Sequence, residues 1–136
     1  MTGIDFLQRF QEFLGRNGWS TDRSPWSVVE EWESLVEQAQ ADYRWGYYEF
    51  TNDLSVRDLL EAALCDETLK KFEQIAVMRE LVNQADAHFK QALLAEVKIG
   101  GVEQPWWRRG VLAHASEEYA EDMSRLYGMK VGCGDS

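Results

Sequence analysis

The sequence predicts an all-α protein, a compact bundle of four to five helices, and three observations carry that expectation. Apolar residues recur at three- and four-residue spacing through most of the chain. Start and stop signals for helices fall at the ends of those stretches. No stretch alternates apolar and polar residues over several positions, and Asn17-Gly18 lacks the flanking alternation of a hairpin.

The first helix is expected over residues 3–15, where Ile4, Leu7, Phe10, Phe13 and Leu14 share one face, Thr2 caps the start and Asn17-Gly18 stops it. Ser24-Pro25 then supplies a cap followed by proline at the first helical position. Val29, Trp32, Val36, Ala39 and Tyr43 form the stripe of a second helix reaching about residue 45, where Gly46 ends or bends it. Thr51-Asn52-Asp53 reads as a break. Ser55 and Asp58 resemble a capping box ahead of a short third helix presenting Val56, Leu59, Leu60, Ala63 and Leu64. Asp66 caps the next segment. The fourth helix, about 67–97, is the longest, with Ile75, Met78, Val82, Ala85, Phe89 and Leu93 on one stripe and Gly100-Gly101 beyond it. Pro105 opens a further region, and a last helix over about 116–127 buries Tyr119, Met123 and Leu126 before Gly128. The whole chain, 1–136, reads as a single helical domain with a frayed tail from about 129. The expected core contains Phe10, Trp32, Val36, Leu60, Ile75, Val82, Phe89 and Met123.

Composition is that of an ordinary globular chain: 45 % hydrophobic and 28 % charged in 136 residues, long enough for a core without staples. The net charge of −10 is uneven. Residues 22–67 hold twelve acidic against three basic side chains, whereas Lys98, Arg108 and Arg109 give residues 98–110 a small positive excess. An acidic block of this size opposes phosphate binding, so nucleic acid is not an expected partner. It suits a basic partner, or serves solubility alone. No apolar run approaches the ~20 residues that span a bilayer. Cys65 closes an apolar run and is expected to be buried, and Cys133 lies between glycines. Two unmatched cysteines without a C-x-x-C suit a reducing cytoplasm.

Few motifs carry chemistry. His114, Glu117, Glu118 and Glu121 have the spacing of a helical metal site, but the second carboxylate–histidine set is missing and Ser116 as a cap would leave His114 outside the helix. No metal and no cofactor are expected. No nucleophile–base signature or glycine-rich phosphate loop is present. Trp106-Trp107-Arg108-Arg109 is the most unusual string. Adjacent tryptophans on a helix cannot share a face, and at least one of the two arginines is expected to pair with a carboxylate of the same chain or to stack on tryptophan.

Glu30, Glu33 and Glu37 form a regular acidic row on the second helix. Were that helix to continue past Gly46, Trp45 and Tyr48 would project near the row and act as interface anchors. In the alternative, Gly46 breaks the helix and both rings enter the core. In general character the chain is similar to small acidic helical immunity proteins and antitoxins of bacteria, a likeness of class that transfers no residue roles. The leading expectation is a non-enzymatic interaction module that engages, and blocks, a basic protein through Glu30, Glu33, Glu37, Trp45 and Tyr48, with a homodimer contact over the same face as the other way to cover it. The alternative is a helical bundle holding a small ligand in an aromatic cavity walled by Tyr43, Trp106, Trp107, Arg108 and Arg109. An enzyme ranks third.

Overall fold

The structure, a computed structural model, describes residues 2–133, and their side chains from Phe6 to Gly132. The expected cap at Thr2, the stripe position Ile4 and the side chain of Cys133 lie outside the described side chains. Among the described residues the fold is all-α. The helices are α1 (Thr2–Arg16), α2 (Pro25–Ala41), α3 (Tyr47–Asp53), α4 (Ser55–Leu64), α5 (Glu73–Gln91), α6 (Trp106–Arg109) and α7 (Glu117–Tyr127). A 3-10 turn spans Leu69–Lys71, and two strands of two residues each, β1 (His114–Ala115) and β2 (Gly132–Cys133), complete the order. All eight expected core residues are buried. None of the described helices is long and apolar enough to cross a membrane.

The chain divides into two compact units. One comprises Met1–Glu33 and Val56–Ala85, the other Ser34–Ser55 and Asp86–Ser136. Each unit therefore draws on two separate stretches of chain.

In the first unit, α1 ends where Gly18 takes φ 77° and the N–H of Trp19 reaches back to the Leu14 carbonyl at 2.8 Å. Phe6, Phe10, Phe13 and Leu14 are buried, whereas Leu7, expected on the same stripe, is 41 % exposed. Phe6 holds the inward position instead, its ring 6.3 Å from Trp26 and 5.4 Å from Phe72. The start of α2 is a reciprocal serine box: the N–H of Ser27 donates to Ser24 Oγ and the N–H of Ser24 to Ser27 Oγ, both at 3.1 Å. The five apolar residues expected of α4 are all buried. Asp66 Oδ1 then accepts from the N–H groups of Thr68 and Leu69 at 2.9 and 3.0 Å, the expected cap. What it caps is the 3-10 turn, because Phe72 is extended at ψ 141° and delays α5 to Glu73. Cys65, expected to be buried, is exposed just beyond the end of α4, its Sγ 3.6 Å from Glu61.

In the second unit, α2 stops at Ala41 and not near 45, because Tyr43 leaves the helix to bridge Ala115 and its carbonyl accepts from the N–H of Ser116 at 2.8 Å. The break expected at residues 51–53 is instead the last turn of α3. α5 is the longest helix, as expected, but ends at Gln91 and not at 97. The residues after it pair with the segment before β1: Ala113 N–H with Ala92 O, Leu94 N–H with Val111 O and Ile99 N–H with Arg109 O, each at 2.8 Å. Gly100, at φ 75°, thus turns a loop and does not end a helix. Beyond α7, Gly128 takes φ 64° as the expected C-cap. Within the segment expected to fray, Gly132–Cys133 form β2, parallel to β1 with His114 opposite Gly132 and Ala115 opposite Cys133, and the residues after Cys133 lie outside the described residues. Leu126, expected to be buried with Tyr119 and Met123, is 39 % exposed.

The inward face of α1 makes a clean prediction. Phe10→Ala should cost about 3–5 kcal/mol in chemical denaturation, whereas Leu7→Ala should cost about 1 kcal/mol or less. Equal losses would mean that α1 is rotated from this orientation.

Candidate interaction surfaces

On α2, Glu30, Glu33 and Glu37 recur at i, i+3 and i+7 and are all exposed. Among the described residues none of the three has an ion pair or side-chain hydrogen bond, while their neighbour Glu31 is held by Arg23 at 2.6 Å. Three carboxylates on one helix therefore face solvent uncompensated.

Trp45 and Tyr48 lie in the second unit, and neither sequence alternative describes them fully. Gly46 is extended (φ −81°, ψ 178°) and separates α2 from α3, so the acidic row does not run on to Trp45. Yet both rings stay outside, Trp45 at 52 % and Tyr48 at 57 % exposed. Their backbone is pinned by α7. Ser116 Oγ donates to the Trp45 carbonyl at 2.9 Å and accepts from the N–H of Tyr119 at 3.1 Å, capping α7 with the same atom. Asp122 Oδ2 accepts from the N–H of Tyr47 at 3.0 Å, a donor that opens α3 and has no helical acceptor. A Cβ on Gly46 would stand 2.6 Å from Glu118 Oε2 and 3.0 Å from Asp122 Oδ2, so a bare backbone is what lets these carboxylates approach.

Around that junction the aromatic residues are layered. Tyr43, Phe50 and Tyr119 form the buried layer, with ring centroids 5.0, 5.7 and 6.5 Å apart and edges toward faces. Tyr43 donates to Asp53 Oδ2 at 2.6 Å, and Tyr119 Oη accepts from the buried N–H of Leu112 at 3.1 Å. Above them Tyr47 is half-buried, its ring 6.1 Å from Tyr119, 6.0 Å from Tyr48 and 5.9 Å from Tyr127, with its hydroxyl 3.2 Å from that of Tyr127. Tyr48, Tyr127 and Leu126 form the exposed layer. Arg125 Nη2 donates to Asp122 Oδ1 at 2.8 Å, and Asp122 followed by Tyr48 holds this guanidinium above its ordinary pKa.

Among the described residues the five expected to wall a ligand pocket have separate surroundings. Tyr43 is fully buried and committed to Asp53. Trp107 is buried and stands perpendicular to Trp106 at 5.8 Å, and Trp106 lies between Phe89 at 6.1 Å and Lys90 Nζ at 4.6 Å. Arg108 donates to the Thr51 carbonyl at 3.2 Å and to Ser55 Oγ at 3.5 Å. Arg109 Nε is buried without a hydrogen-bond partner, and among the described residues this side chain meets neither a carboxylate nor a tryptophan face. An open cleft of about 670 Å³ is lined by Asp42, Tyr43, Arg44, Ala115, Ser116, Glu117 and Glu118, and none of the residues from Trp106 to Arg109 lines it. His114 lies in β1, outside α7, and no group of three potential metal ligands occurs among the described residues. The sequence pattern singles out neither Tyr47 nor Tyr127, and it places Leu126 in the core and not at this surface.

Burial, and then Asp53, push the Tyr43 phenol well above its ordinary range, and burial with Tyr127 does the same for Tyr47. Burial raises Tyr119 to about 12, although the Leu112 N–H works against it. These phenols are kept neutral by the fold, so their contribution is complete below the unfolded value of about 10 and is lost as pH climbs toward the folded values. Three of the five tyrosines should therefore ionise late in an absorbance titration, with the melting temperature falling from about pH 10. Tyr43→Phe should flatten part of that fall and, by leaving Asp53 unpaired, lower stability by about 1–2 kcal/mol at neutral pH. Compared with known proteins, the chain matches no family model, no curated protein sequence and no solved structure.

Proposed function

We propose that this chain is a non-catalytic interaction module that docks a basic protein and blocks it, in the manner of an immunity protein or antitoxin. The observation that carries this reading is the uncompensated row of Glu30, Glu33 and Glu37, exposed on a helix within the most acidic stretch of the chain. Carboxylates without cationic neighbours of their own leave their field open to an incoming basic surface and accelerate encounter. Trp45 and Tyr48, each more than half exposed, are the side chains suited to anchor the complex once formed. The small-ligand alternative has less support, because Tyr43 and Trp107 belong to the core. Inhibition would follow from coverage: an acidic surface laid over a basic active face excludes a negatively charged substrate from it.

Association with the partner should slow steeply as salt rises, because screening at 0.1 M confines the field to about 10 Å. Reversing Glu33→Lys and Glu37→Lys together should weaken binding mainly through the association rate, while the melting temperature stays nearly unchanged, since exposed helix charges contribute little to folding. Stopped-flow binding at graded ionic strength measures both. Binding that ignores salt and the double reversal would reduce the acidic row to a solubility feature.

A further inference from the structure

We propose that the exposed aromatic layer between α3 and α7 is a docking surface for an arginine side chain of the basic partner, which takes the place the chain's own Arg125 now holds. This rests on the interaction reading and names the chemistry of its anchor. Tyr48 presents a ring more than half exposed, Tyr47 stands edge to face with both Tyr48 and Tyr127, and Leu126 on α7 and Trp45 just before α3 add exposed apolar surface. Glu49, Glu118 and Glu121 are exposed along α3 and α7, and Asp122 lies at their junction. Arg125 on Asp122 and Arg44, 5.9 Å over the Trp45 ring, are cations of the same chain at this layer, and against Glu49, Glu118, Glu121 and Asp122 they leave it acidic and complementary to a basic segment.

Arginine is favoured over lysine by geometry. A planar guanidinium stacks on a tyrosine face while its N–H fork meets a carboxylate, and an ammonium cannot do both. Arg125 already shows the carboxylate half of this arrangement on Asp122 Oδ1 at 2.8 Å, beside the exposed Tyr48. Its own contact is an i, i+3 ion pair whose cationic side is 58 % exposed although Asp122 is only 14 % exposed, so solvent and an incoming guanidinium can reach the position Arg125 holds. The other oxygen of Asp122 stays on the Tyr47 N–H, so the carboxylate is oriented whether or not Arg125 remains.

The test uses two peptides of equal length and charge, oligo-arginine and oligo-lysine, titrated calorimetrically against the full chain at low salt. The arginine peptide should bind roughly three- to tenfold more tightly. Tyr48→Ala should remove that preference, Tyr48→Phe should keep most of it, and Arg125→Gln should strengthen arginine binding severalfold with little effect on lysine. Tyr48 and Arg125 are exposed, so these variants should retain the wild-type circular dichroism. Equal, salt-sensitive affinity for both peptides, lost on reversing Glu33 and Glu37 but indifferent to Tyr48→Ala, would overturn this inference and leave the interaction reading standing. Failure of both peptides to bind at low salt would count against both.

Discussion

Tyr119 is fully buried in the second unit, and its hydroxyl is satisfied because the backbone N–H of Leu112 is turned toward it at 3.1 Å. An unpaired phenol at that depth would forfeit about 1–3 kcal/mol, so the ring and the 111–113 segment are set together. Three residues earlier Ser116 ties three backbones at once: its N–H meets the Tyr43 carbonyl, its hydroxyl meets the Trp45 carbonyl, and the same oxygen caps α7. No single bond here is strong. Their effect is geometric, because fixing Tyr43, Trp45 and the start of α7 dictates where α3 begins and which of its rings face out.

Exposure of the outer rings follows from that constraint. Tyr43 and Phe50 fill the space against Tyr119, so Tyr47 is left half-buried and Tyr48 is turned outward. The carboxylates of α7 are drawn toward α3 because the first N–H groups of a helix need acceptors and Gly46 offers no side chain in the way. Aromatic rings and acidic groups therefore meet at one surface for reasons internal to the fold. The same juxtaposition is the chemistry by which a protein receives a cation.

Features encoded within a few residues were legible in the sequence. The stripe of α2, the whole buried face of α4, the Asp66 cap, and the Ser116 start and Gly128 stop of α7 all rest on neighbours in the chain. Features decided by distant partners were not. α5 stops at Gln91 because residues 92–99 pair with 109–113, and the first N–H of α3 is satisfied by a carboxylate 75 residues away. Leu126 continues a helical stripe by spacing yet stays 39 % exposed, and Cys65 follows an apolar run yet lies past its buried face. Of the candidate surface, the glutamate row and the two exposed rings could be named in advance. The exposed layer with Tyr127 and Arg125 needed α3 and α7 in place.

Docking of a basic protein at the α3–α7 face is tested most directly by proximity. A photoreactive phenylalanine analogue placed at Tyr48, and in a parallel variant at the exposed Val77 of α5, would be irradiated in the native source and the adducts identified. The expected result is a discrete basic protein joined through position 48, absent from position 77 and diminished by high salt before irradiation. Adducts forming equally from both positions, or from position 77 alone, would contradict a docking role for this face.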